Sequence, residues 1–84
     1  MKLYKIWQDE NDDYDTYDSA VVCCEDIAEA ESMNPDTGKP MTDEDWHDPW
    51  PCWASSPINV NVQYLGKADP TVPKGVICSS FNAG

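Results

Sequence analysis

The sequence predicts a small α+β domain of order β-β-α-β-β, a four-stranded sheet with one short helix on one face. Three observations carry this. Four short runs, around Leu3, Val21, Val60 and Ile77, are rich in aliphatic and aromatic residues and are bounded by acidic or Pro/Gly-containing stretches. Between the second and third runs the hydrophobic period changes to that of a helix, over Asp26 to Met33. The chain has 84 residues, 40% of them hydrophobic, and nine aromatics (four Trp, four Tyr, one Phe). That is enough for one domain with a single small core, and it argues against disorder despite a net charge of −11.

Leu3 to Gln8 is the first strand, ended by an acidic stretch. The segment Asp9–Asp18, DENDDYDTYD, has six acids and two tyrosines but no Gly or Pro. A two-residue hairpin turn is therefore not indicated. A longer, ordered loop is expected, with Tyr14 or Tyr17 holding it to the body. Ser19 to Cys24 is the second strand. Ala20, Val22 and Cys24 lie on one face and Val21 and Cys23 on the other, so both faces are apolar and the strand belongs in the middle of the sheet.

Asp26 then caps a helix, with Glu29 three residues on as in a capping box. Ile27, Ala30 and Met33 follow at helical spacing toward the sheet, while Glu29 and Glu31 point outward. Asn34-Pro35 ends the helix after two or three turns, so it depends on packing rather than propensity. From Asp36 to Pro57 there are four prolines, one Gly and three of the four tryptophans. Thr42, with Glu44 and Asp45 after it, opens at most one helical turn, because Pro49 and Pro51 forbid more. Irregular loops of this length in compact domains are often functional. Ile58 to Tyr64 alternates strictly: Ile58, Val60, Val62 and Tyr64 face one way, Asn59, Asn61 and Gln63 the other. Gly66 to Lys74 is a turn region, and Gly75 to Phe81 is the last strand. The second and third strands are compatible with a parallel pair joined by the helix as a right-handed crossover.

YDTYDSAVV over Tyr14–Val22, the short acidic helix after it, and the ending SFNAG over Ser80–Gly84 resemble a family of small uncharacterised proteins encoded by phages and bacterial genomes. These pieces cover about a third of the chain. The resemblance implies a phage-type context and no catalytic residues.

Charge is concentrated. Residues 9–48 contain fifteen of the sixteen acids and one lysine, a formal charge of −14; the other 44 residues carry Asp69 and four lysines, about +3. There is no Arg. A nucleic acid or an anionic membrane is repelled by such a chain, because binding either needs clustered cations. The N-terminus has no apolar run long enough for a signal peptide or a span, so a cytoplasmic setting is expected. There Cys23, Cys24, Cys52 and Cys78 are expected to be free thiols, with Cys24 and Cys78 buried in strands; two disulfides are the alternative.

Parts for chemistry are few. His47 is the single histidine, and Cys52 is the only cysteine near it in sequence; no catalytic motif accompanies them. Cys23 and Cys24 are adjacent, so on a strand they point to opposite faces and do not share a metal. Asp9, Asn11, Asp13 and Asp15 match four ligand positions of a calcium loop, but Tyr14 stands where Gly is needed and Ala20 where Glu is needed. A weak site of another type and plain solvated acids both remain open. Trp46, Trp50 and Trp53 are either an accessory core over the sheet or anchors of an interface.

No catalytic residue, metal or cofactor is assigned. The expected function is that of a phage-type inhibitor, anti-CRISPR or anti-restriction in kind. Its acidic surface would mimic DNA and bind a basic nucleic-acid-binding host protein or complex. DNA presents one charge per about 1.7 Å of its axis, and concentrated carboxylates imitate that field better than solubility alone requires. The residues expected to bind are Asp9, Glu10, Asp12, Asp13, Asp15 and Asp18 in and beside the first loop and Glu29 and Glu31 on the helix. Asp43, Glu44, Asp45, Trp46 and Trp50 complete the set. A monomer or weak homodimer is expected. The alternative is a small structural phage protein that self-associates through the tryptophan loop.

Overall fold

Two short runs rich in aliphatic and aromatic residues near the N-terminus form the central pair of the sheet. The computed structural model describes residues 1–11 and 14–82. β1 (Lys2–Trp7) pairs antiparallel with β2 (Thr16–Cys24), Tyr4 opposite Val22 and Ile6 opposite Ala20. The outer edge of β1 pairs antiparallel with β3 (Asn61–Lys67), and that of β2 with β4 (Gly75–Asn82). The order is β3-β1-β2-β4, an open antiparallel sheet with short helices, as the sequence predicts for a small α+β fold. β2 is central, in keeping with its two apolar faces. β2 and β3 run in the same direction but are not paired, because β1 lies between them.

One face of the sheet carries the core. Tyr4, Ile6, Ala20, Val22 and Cys24 project from β1 and β2 into a cluster with Ala30, Met33, Trp53, Ala54 and Val60. The last five all come from the crossover between β2 and β3. This segment contains α1 (Ile27–Glu31), α2 (Asp43–Trp46) and a 3₁₀ turn (Pro57–Asn59). The protein is thus one sheet and one irregular layer, 18 Å across its thinnest direction. Each fully buried aliphatic side chain contributes about 1.5–3 kcal/mol.

The other face is open. The strand register puts Lys5, Trp7, Ser19, Val21, Cys78 and Ser80 on it. The Lys5 ammonium stands 5.4 Å from the Trp7 ring centroid. Cys23 also turns to this side, yet is buried, its Sγ 3.9 Å from the carbonyl oxygen of Val72 in the β3–β4 connection.

Several boundaries differ from those read in the sequence. β2 begins at Thr16, three residues early, and the Tyr17 amide donates to the Cys52 carbonyl at 2.8 Å. β3 begins at Asn61, not Ile58. Pro57 occupies the first turn of the 3₁₀ segment, and Ser56 Oγ caps it by accepting from the Ile58 amide at 3.3 Å. Ile58 is therefore 89% exposed rather than part of the core. Ile27 is exposed too, because α1 lasts only five residues and turns Ala30 inward instead. Asp26 does cap α1, accepting from the Glu29 amide at 2.9 Å. Cys78 is exposed, contrary to expectation, because β4 is an edge strand and this residue faces the open side. Cys24 is buried as expected.

Candidate partner-binding site

The acids follow the layering. Nine of the sixteen (Glu25, Asp26, Glu29, Glu31, Asp36, Asp43, Glu44, Asp45 and Asp48) lie in the crossover between β2 and β3, with one lysine. None of the six open-face residues named above is acidic. The crossover layer is thus strongly acidic, whereas the six open-face residues include Lys5; Asp18, exposed on β2, and Asp69, in the β3–β4 connection, lie outside that layer.

Within that layer the carboxylates differ in how free they are. Asp43 and Glu44 are exposed at the start of α2, where the helix N-terminus favours negative charge. Asp45 is half-buried and completes a capping box: its Oδ2 accepts from the Thr42 amide at 2.9 Å, and Thr42 Oγ1 accepts from the Asp45 amide at 3.2 Å. Glu29 is half-buried and pairs with Lys74 at 3.1 Å, which holds the lysine above its ordinary range. Glu31 is also half-buried. Trp46 packs against the core, whereas Trp50 is 87% exposed.

The first acidic loop is built on Gln8, a buried amide. Its Nε2 donates to the carbonyls of Asn11 (2.5 Å) and Tyr17 (3.0 Å), and its Oε1 accepts from the amides of Glu10 (2.9 Å) and Asn11 (2.8 Å). A buried amide with all of these bonds made organises the chain around it. Asn11 Nδ2 then donates to the Pro51 carbonyl at 2.8 Å. Glu10 accepts from the backbone amide of Ser55, from Ser55 Oγ at 3.2 Å and from Asn59 Nδ2 at 3.3 Å. Asp9 accepts from Asn61 Nδ2 at 3.3 Å. Asp15 and Asp18 are exposed, and Asp15 holds a left-handed backbone, φ 61°. Asp12 and Asp13 lie outside the described residues. Tyr17 is the tyrosine that fixes the loop; Tyr14 is 75% exposed.

These bonds join the first loop to the tryptophan loop, and a groove of about 660 Å³ opens between them. Its lining includes Glu10, Tyr14, Asp15, Trp50, Trp53 and Ser55. Of the expected binding residues, the groove brings together Glu10, Asp15 and Trp50; Asp43, Glu44 and Trp46 do not line it. The anchoring roles of Gln8 and Asn11 escape sequence reading. The bond from Asn11 to Pro51 spans forty residues, and no local pattern encodes it.

His47 Nδ1 lies 2.8 Å from the Asp43 carbonyl oxygen of its own turn. The Cys52 thiol is pushed up by burial and by Asp36, which lowers its reactivity. Among the described residues no group of three or more His, Cys, Asp or Glu is placed to hold a metal ion, and no helix is long and apolar enough to cross a membrane. No protein-family model, curated protein or solved structure matches the chain.

Proposed function

We propose that this protein is a phage-type inhibitor. It binds a basic, nucleic-acid-binding host defence complex, of CRISPR or restriction type, in the bacterial cytoplasm, its carboxylates standing in for phosphates. The observation that carries the reading is the concentration of acids in the crossover layer. Nine acids lie in the layer on one face, and no acid is found among six residues of the other. Solubility alone does not call for such a concentration, whereas a surface that docks into an Arg/Lys-lined cleft does. The upward shift of the Cys52 thiol by burial and Asp36, with the local engagement of His47, favours binding over catalysis.

Pull-down from a host lysate tests this. A basic complex is expected to co-purify at low salt and to be released as the Debye length falls from about 10 Å at 0.1 M to about 3 Å at 1 M. The triple variant Glu25→Gln, Asp43→Asn, Glu44→Gln is expected to stay folded, since exposed acids contribute little to stability, and to capture less of that complex. Capture unchanged by salt and by the triple variant would falsify the reading.

The exposed indole of Trp50 favours one second reading, a structural phage protein that self-associates through the tryptophan loop. Apolar association holds or strengthens with salt. A salt-resistant dimer abolished by Trp50→Ala, with no basic partner, would establish it instead.

A further inference from the structure

We propose that the groove lined by residues 10–11 and 14–16 on one side and residues of the 49–55 segment on the other is a receptor for an arginine side chain on a basic protein segment. This deepens the function proposed above and rests on it in taking the partner to be basic. The groove combines two kinds of wall. Trp50 and Tyr14 supply aromatic rings that remain exposed, and Asp15 and Glu10 supply carboxylates. Aromatic faces attract cations through their quadrupole, Trp most strongly. A guanidinium is planar, stacks on such rings and gives a carboxylate two parallel hydrogen bonds; a lysine ammonium does neither.

One further observation points to an occupant. Among the described residues the buried indole Nε1 of Trp53 has no hydrogen-bond partner, although its residue lines this groove and is only 2% exposed. Buried donors are rarely left so. The Nε1 is closed off from the groove, so an acceptor on the occupant meets it only if the ring shifts as the groove fills. Asp15, the one described non-glycine residue with positive φ, also lines the groove, and its amide donates to the Asn82 carbonyl at 2.6 Å. Glu10 is held by Ser55 and Asn59, so Asp15 is the freer of the two carboxylates.

The test is a titration of the ¹⁵N-labelled protein with a blocked Gly-Gly-Arg-Gly-Gly peptide, its citrulline counterpart, and poly-arginine, following the indole N–H signals. The arginine peptide is expected to move the Trp50 and Trp53 signals and to leave Trp7, on the opposite face, in place. Citrulline keeps the shape and loses the charge, so it is expected not to bind. Trp50→Ala should weaken the arginine peptide about tenfold, from the loss of the cation–π contact. Asp15→Asn should weaken it as well while keeping the backbone, since Asn accepts positive φ. Poly-arginine binding that leaves the Trp50 and Trp53 signals unmoved, or equal affinity of Trp50→Ala and wild type, overturns the groove and spares the acidic layer. No binding of poly-arginine at low salt overturns both.

Discussion

The Tyr17 hydroxyl donates to Oδ1 of Asp36 at 2.7 Å, tying the second strand to the crossover that covers it. The ring of the same residue packs at a tilt of 56° against Phe81, centroids 4.7 Å apart, and its amide donates to the Cys52 carbonyl. One tyrosine thus joins β2, β4, the residues after α1 and the tryptophan loop. The hydrogen bond to Asp36, with burial as the second cause, pushes the phenol up from 10.0 to about 12.

Tyr17→Phe is expected to cost about 0.5–1.5 kcal/mol at neutral pH, kept modest by solvent at the bond. The sign of its pH dependence follows from the direction of the shift. A folded pKa above the ordinary value means that the contribution is complete below about pH 10 and fades as pH rises toward about 12. Urea midpoints of wild type and variant, compared across that window, should converge at its alkaline end.

Ile6 and Ile58 read alike in sequence, each an apolar residue in an expected strand. Ile6 is fully buried and Ile58 is 89% exposed. Ile6→Ala should cost about 2–5 kcal/mol, a large part of the stability of so small a domain. Ile58→Ala should stay within about 0.5 kcal/mol. Equal losses in denaturant titrations would restore a strand beginning at Ile58.

The four thiols should separate by reactivity. Burial pushes Cys24 up from 9.0 to about 11, with Glu29 adding to it, which leaves about a hundredfold less thiolate in mildly alkaline buffer. Cys23 is buried, Cys52 half-buried and Cys78 exposed. Timed alkylation with peptide mapping should show Cys78 labelled first, Cys52 more slowly, and Cys23 and Cys24 only on unfolding. Two internal disulfides in the untreated protein would overturn this order.

Gly38 turns the chain back toward β4 with φ +73°. A Cβ there would lie 3.1 Å from the Val76 amide nitrogen and 3.2 Å from the Gly75 Cα, both backbone atoms. Gly38→Ala should therefore lose more than about 1 kcal/mol, read as a lower thermal midpoint, whereas a solvent-facing turn without those neighbours would lose less.

What the sequence determined by itself is what depends on near neighbours. The period of two along Tyr4, Ile6, Ala20 and Val22 sets which side chains share a face. Apolar residues on both sides of β2 point to its interior place in the sheet, although the second face is open rather than covered. Asp26 with Glu29, and Thr42 with Asp45, mark helix starts through bonds three residues long. Cys23 and Cys24 diverge to opposite faces for the same local reason. Ile58 misleads because strict alternation continues through it, while Pro57 and Ser56 bend the backbone away from the ladder.

Only the tertiary structure decided the strand order, the open face and the groove. β1 pairs on both edges, with strands up to sixty-five residues apart such as Lys2 and Lys67, and no local pattern says which edge takes which partner. Acids look alike in a sequence. Folding bonds Glu10 to Ser55 and Asp45 to Thr42, and leaves Asp15, Asp43 and Glu44 exposed. Trp46, Trp50 and Trp53 lie within eight residues of chain, yet one packs against the core, one projects into solvent and one is buried with an unpartnered N–H. Their fates diverge because burial depends on what the rest of the chain places beside each ring.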